Sequence, residues 1–261
     1  MALRDGEEGV NHFFVDPAQI SGTEIRITGE DVNHIRNVLR MRPGEEISVS
    51  NGTDDKEYRC GIETITEDTV ICRLRFVKEN AVELPVRITL FQGLPKADKM
   101  ELIVQKTVEL GVSEIVPVSM ERCVVQLDAK KYAKKQERWQ AIAEAAAKQS
   151  RRGRIPRIGA LMDMKEALAY AAQMEMAVIP YELAEGMEAT RSFMERLKER
   201  AAAEDGLRLA IFIGPEGGFT EAEVAEAEQA GALPISLGRR ILRTETAGMA
   251  FLAMIGYQLE S

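Results

Sequence analysis

From Pro85 onward, apolar runs of strand length alternate with helix-period patterns. Val86 to Gln92, Glu114 to Val118, Met176 to Pro180, Leu209 to Ile213 and Leu233 to Leu237 are short apolar runs expected to be buried parallel strands. Between them, Lys99 to Leu110 with Gly111 at its end, a basic stretch after Lys130, a segment near Met164 to Gln173, Met187 to Ala203 and the residues after Thr220 read as helices. Strands alternating with helices predict a parallel sheet covered on both faces. Ahead of Pro85 the pattern differs. Ile25 to Ile27, Glu46 to Ser50, Tyr58 to Ile65 and Thr69 to Phe76 read as short strands with turn signals at Gly29, Gly44 and Asn51-Gly52, and Asp31 to Met41 as one helix. This predicts a small β-barrel domain over residues 1–80 and an α/β domain over 81–261.

Chemistry concentrates after the fourth of those parallel strands. Leu209-Ala-Ile-Phe-Ile213 runs into Gly214-Pro-Glu-Gly-Gly218, and Thr220 with Glu223 forms a capping-box pattern for the next helix. Gly238 opens a second loop after Leu237, so two loops stand at the carboxyl ends of neighbouring strands, where open α/β sheets place ligands. Glycine loops at helix N-termini usually cradle phosphate. Here Glu216 puts a carboxylate in that position, and neither G-x-G-x-x-G nor G-x-x-x-x-G-K-[ST] is present. The loop therefore suits a neutral or cationic nucleoside derivative such as S-adenosylmethionine better than a polyphosphate. A tight strand-to-helix turn without a ligand would carry the same residues.

Gly214-Pro-Glu-Gly-Gly-Phe219 followed by Leu237-Gly-x-Arg-Ile-Leu-Arg-x-Glu-Thr-Ala247 resembles the paired signature of the bacterial 16S ribosomal RNA uracil-N3 methyltransferases, small subunit methyltransferase E, of the SPOUT superfamily. His34-x-x-x-Val-Leu-Arg-Met-Arg42-x-Gly44, Gln105-Lys-x-x-Glu-Leu-Gly-Val112 and Gln149-Ser-x-Arg152 with Ile155-Pro156 are similar to further segments of that family, in the same order. The resemblance implies a SPOUT-type trefoil-knotted parallel-sheet methyltransferase domain preceded by a PUA-like RNA-binding domain. It implies methylation of N3 of a specific 16S uridine on the assembled small subunit, with S-adenosyl-L-methionine as cofactor and a homodimer as the working form. Three loops would hold the cofactor: one with Glu182, a second with Ile213, Gly214, Glu216, Gly217 and Gly218, and a third with Leu237, Gly238, Ile241, Leu242, Arg243 and Ala247. Uracil N3 bears a proton in its neutral form, so its methylation needs an anion stabiliser or a base. Arg243 is the candidate for the first role and Glu245 for the second, and an Arg–Glu pair bracing the loop would look the same. A SPOUT enzyme acting on another base or on transfer RNA, and a non-catalytic assembly factor, are the rival readings.

Composition and charge add a partner. The net charge of −8 speaks against nucleic acid, yet ten Lys or Arg against two acids lie between Lys130 and Arg157. Trp139, Ile142, Ala143 and Ala146 have the spacing of a buried helix face, which leaves the basic residues around it on solvent. Arg151, Arg152 and Arg154 are compact and have no compensating acids nearby in sequence, as phosphate contacts do; Arg36, Arg40 and Arg42 form a second cluster. With a boundary near residue 80, the two clusters fall in different domains. Cys60, Cys72 and Cys123 are scattered, and no C-x-x-C pair or histidine cluster suggests a metal, so inert thiols are expected. No apolar run reaches membrane-spanning length and Met1 to Val10 is too acidic for a signal peptide, which points to the cytoplasm. The last helix, about Glu245 to Gln258, is apolar nearly all round. Its Phe251 and Met254 are expected at the dimer interface.

Overall fold

The structure, a computed structural model, describes residues 10–79 and 82–260. Residues 1–9, read above as unlike a signal peptide, and the junction at 80 and 81 lie outside the described residues. The described residues through Glu83 together with Ala147–Ile155 form one compact unit; Leu84–Ala146 with the described residues from Pro156 onward form the other.

The first unit is a six-stranded sheet of β1 (Asn11–Phe14), β2 (Ile20–Ser21), β3 (Glu24–Thr28), β4 (Glu46–Ser50), β5 (Lys56–Ile65) and β6 (Thr69–Glu79). Its order is β1-β4-β5-β6-β3-β2, parallel at β1–β4 and antiparallel elsewhere, and the recorded pairings do not close it into a ring. Register shifts between Arg59 and Cys60 and between Ile62 and Thr64 bend β5 against β6. Ile25, Ile27, Ile47, Val49, Val70 and Cys72 alternate inward and build the core, onto which Val32 and Ile35 pack. Burial pushes the thiols of Cys60 and Cys72 up to about 12, which leaves no reactive thiolate there.

The expected helix over Asp31 to Met41 is shorter and wider than its pattern suggests. A single α-turn, α1 (Glu30–Asn33), passes into a π-turn over His34–Val38. The Leu39 N–H donates to the His34 carbonyl at 2.9 Å and that of Met41 to Ile35 at 3.0 Å, so the helix closes with one residue too many per turn. Arg40 then takes φ 53°, the left-handed position where helices ordinarily use glycine.

The second unit is an all-parallel sheet. Its strands are β7 (Val86–Gly93), β8 (Glu114–Ser119), β9 (Arg157–Ile158), β10 (Met162–Asp163), β11 (Met176–Pro180), β12 (Leu207–Ile213) and β13 (Leu233–Ile235), in the order β10-β8-β7-β12-β11-β13 with β9 on β8. Its helices are α2 (Lys99–Glu109), α3 (Ala129–Gln149), α4 (Met164–Ala171), α5 (Glu188–Ala203), α6 (Glu221–Gln229) and α7 (Thr244–Glu260). Phe91 and Phe212, paired across β7 and β12, stack at 4.6 Å in a core with Leu168 and Val224 on one face. On the other face α7 packs with Gly248 over Ile213 and Leu90, where a Cβ would be in ordinary van der Waals contact, 3.7 Å from Ile213. The chain first moves outward from β7 through β8 to β10, then returns on the other side of β7. That reversal opens a crevice at the strand ends.

Two expectations fail here. Phe251 is fully buried against Phe193 at 6.2 Å, so it serves the core of its own chain and is not interface material. Arg151, Arg152 and Arg154 belong to the first unit, together with Arg36, Arg40 and Arg42, and not to a separate domain.

Candidate functional site

Three loops at the carboxyl ends of β11, β12 and β13, with α2 beside them, enclose a cavity of about 390 Å³. Of the proposed cofactor residues, Glu182, Ile213, Gly214, Glu216, Gly218, Leu237, Gly238, Ile241, Leu242, Arg243 and Ala247 line it. The loop after β12 can approach so tightly because Gly218 sits at φ 68° and its N–H donates to the Pro215 carbonyl at 2.9 Å. The next helix starts where the capping box predicts. Glu223 N–H donates to the Thr220 hydroxyl and Thr220 N–H to the Glu223 carboxylate, at 3.2 and 2.9 Å.

Gly217 differs from the expectation. It stands off the cavity: its carbonyl accepts from Arg122 at 2.9 Å, and a Cβ would meet Arg122 Cβ at 2.9 Å. Its missing side chain makes room for an arginine, not for a ligand.

Sequence reasoning missed Lys99, at the first position of α2. Its Nζ lies 3.1 Å from Glu216 Oε1 and 3.1 Å from Glu245 Oε2, joining the loop after β12 to the first turn of α7. Burial alone would raise the Glu216 carboxyl, but the Lys96 N–H and the Lys99 ammonium outweigh it and hold the group below its ordinary value. The Glu245 carboxyl is held low in the same way, against its burial, by its own N–H, Lys99 and Arg243. Lys99, bonded to Glu245 and Glu216, is raised. A carboxylate held low is a weak base, so Glu245 is better placed to anchor Lys99 than to take a proton. A lysine 117 residues from Glu216 leaves no local signal.

This bridge carries a pH signature. Two depressed carboxyls stabilise the fold above their unfolded pKa of about 4.3, and that stability is lost as pH falls through their folded values. The raised lysine contributes fully below about 10.4 and is lost as pH rises through its folded value. The stability difference between wild type and Lys99→Met should therefore be a plateau near neutrality that shrinks at both ends, read by urea unfolding from pH 3 to 11. A pH-independent difference would mean that Lys99 contributes only packing.

Both signs of charge line the cavity. Glu182, Glu216 and Lys99 stand at it, with Glu245 behind Lys99, while Arg239, Arg240 and Arg243 are exposed along its third loop and form no ion pair with a carboxylate among the described residues. Ile241, between the last two, is 84% exposed. Carboxylates around a glycine-lined cavity fit a cationic nucleoside such as a sulfonium, and free arginines suit a polyanion.

The other basic clusters divide. Arg36, Arg40 and Arg42 are exposed. Arg152 is 2% exposed and pairs with Glu83 in a two-pronged bond, Nε to Oε1 at 3.1 Å and Nη2 to Oε2 at 2.6 Å. Arg154 pairs with Asp55 and donates to the Thr53 carbonyl at 2.7 Å. The compensating acids, absent nearby in sequence, are supplied from afar, so Arg152 and Arg154 are structural. Arg151, exposed at φ 57°, ends α3 in the left-handed position, with the Arg152 N–H returning to the Ala147 carbonyl at 3.0 Å. Among the described residues no cluster of His, Cys, Asp and Glu could hold a metal, and no helix is long and apolar enough to cross a membrane.

Fold and site together define an RNA methyltransferase. The RNA methyltransferase domain family matches residues 82–256, and the RNA methyltransferase PUA domain family matches residues 27–75. The ribosomal RNA small subunit methyltransferase E of Bacillus subtilis is 39% identical over 235 residues, 90% of each chain. That of Mycobacterium bovis is 33% identical, over 94% of this chain and 90% of its own. The crystal structure of the Neisseria gonorrhoeae ribosomal RNA small subunit methyltransferase E bound to S-adenosyl methionine superposes with a TM-score of 0.79 at 30% identity, covering 95% of this chain and 98% of that one. The chain belongs to the ribosomal RNA small subunit methyltransferase E family.

Proposed function

We propose that this protein methylates N3 of a uridine in 16S ribosomal RNA, using S-adenosyl-L-methionine, on the assembled small subunit in the cytoplasm. The observation that carries the reading is a glycine-lined cavity whose wall holds Glu182 and Glu216 and whose third loop carries the exposed Arg239, Arg240 and Arg243. The bound cofactor would supply an electrophilic methyl group. Gly214 and Gly218 would give its nucleoside close backbone approach, and Glu182 and Glu216 would favour its positive charge. Arg243 faces the same cavity and lies two residues from Glu245, where its guanidinium can hold a uracil carbonyl and lower the cost of losing the N3 proton. Arg239 and Arg240 would grip flanking phosphates, and the exposed Arg36, Arg40, Arg42 and Arg151 are the candidates for phosphate contact on the PUA-like unit. The proposed fold includes the SPOUT trefoil knot.

A homodimer is part of the reading. An apolar groove between α5 and α7, lined by Met187, Met194, Ala253, Met254 and Tyr257, leaves one stripe of α7 uncovered. Light scattering should give twice 29.0 kDa for wild type and a monomer for Met254→Glu.

A methyl on N3 blocks base pairing and stops reverse transcription. Small subunits from cells lacking the protein should gain one such stop when incubated with it and the methyl donor. Arg243→Ala should slow transfer about 100-fold, the scale of one lost charge-stabilising donor, with little change in RNA affinity. Methyl incorporation without a stop would place the target atom elsewhere. No incorporation by a folded wild type would favour an assembly factor.

A further inference from the structure

The end of β7 holds a fully buried amide, Gln92, on the face of the strand that otherwise carries the apolar Val86, Ile88 and Leu90. It sits beside Ile213 of β12 and Pro117 of β8. Its Nε2 donates both hydrogens, one to the Gly93 carbonyl at 3.0 Å and one to the Thr244 hydroxyl oxygen at 2.9 Å. The Thr244 hydroxyl in turn donates to the Gly214 carbonyl at 2.6 Å. The direction of this chain is forced. An NH2 group can only donate, so the single hydroxyl hydrogen of Thr244 is left for Gly214. Turning the amide over would set its oxygen against the Gly93 carbonyl, acceptor facing acceptor. In the observed orientation Gln92 Oε1 has no partner among the described residues.

The chain joins three separate segments: the end of β7, the first residue after β12 and the first residue of α7. Gly214 and Thr244 line the cavity, and Gln92 does not. The same two loops are tied a second time by Lys99, through Glu216 and Glu245, so each is held by both bridges. Space forbids any slack beneath them. A Cβ on Gly93 would stand 2.7 Å from Pro215 N and 2.9 Å from Met120 Sδ. An apolar side chain at position 92 would fill the strand core without burying an unmatched oxygen, so the amide is explained by what it holds.

We infer that Gln92 is a positioning residue for the cofactor cavity: acting through the Thr244 hydroxyl, it fixes the Gly214 carbonyl and the first turn of α7, and with them the placing of Arg243. The inference rests on the reading of this cavity as the adenosylmethionine site.

Calorimetric titration of the full-length protein with S-adenosylmethionine tests it with Gln92→Met, Thr244→Val, their double variant and Thr244→Ser. Gln92→Met and Thr244→Val should each weaken binding about tenfold, equivalent to about 1.4 kcal/mol, in proteins that still unfold cooperatively. The double variant should be no worse than the poorer single, because both cut one chain. Thr244→Ser keeps the hydroxyl and should bind within about twofold of wild type. A folded Gln92→Met protein with wild-type affinity, or single effects that multiply in the double variant, overturns the inference. Should Gln92→Met fail to fold, Thr244→Val against Thr244→Ser decides, and equal affinities overturn it. A wild type that does not bind S-adenosylmethionine defeats the reading of the cavity instead.

Discussion

Arg152→Ala is expected to cost about 3–5 kcal/mol of stability, because it strands the Glu83 carboxylate in a site built to neutralise it. The guanidinium is 2% exposed and meets both oxygens of Glu83, one of which also accepts from the Arg154 N–H at 3.3 Å. Removing one partner of such a pair is far worse than removing both. Arg152→Met with Glu83→Met should therefore recover much of the loss. Scanning calorimetry should show the transition of the first unit falling in the single variant and returning in the double. Cofactor affinity should stay at the wild-type level, since the cavity lies wholly in the other unit. A loss below about 1 kcal/mol would mean the pair is no more than an exposed one.

Gly218→Val should reduce S-adenosylmethionine affinity at least about 100-fold, or roughly 2.7 kcal/mol. Two causes add. At φ 68° a β-branched residue is strained, and its Cβ would lie 3.4 Å from both oxygens of the Glu182 carboxylate, inside the cavity lining. Gly217→Val is the informative neighbour: it presses on Arg122 behind the loop and should weaken binding less. If the two variants bind equally well, the loop moves more freely than its turn hydrogen bond implies.

What was legible from sequence was whatever one stretch of chain decides alone. The boundaries of β11 match the apolar run from Met176 to Pro180, and the Thr220–Glu223 box marks the start of α6 because both partners lie within one turn. Two of the cavity's loops followed from the same locality, since each trails an apolar strand, whereas the loop with Glu182 came only from the family resemblance. The π-turn was not legible: its hydrophobic spacing fits an ordinary helix, and only the bonds to His34 and Ile35 reveal the extra residue. Short strands such as β9 and β10, two residues each, carry too little pattern to be seen. Long-range electrostatics was invisible. Arg152 finds its acid 69 positions away and Arg154 finds its own 99 away, and Lys99 reaches across both cavity loops. A charge run therefore looked uncompensated when part of it was a buried lock.

The two-part composition of the first unit also sets an order of events during synthesis. Glu83 and Asp55 leave the ribosome well before Arg152 and Arg154, and Gly52 before Ile155, whose N–H it binds through its carbonyl at 3.1 Å. At roughly 5–20 residues per second, the strands β1 to β6 wait about 4–14 seconds for the segment that completes them. Through that interval the nascent sheet holds its carboxylates without their arginines, and only the arrival of Ala147–Ile155 turns a provisional fold into a finished one.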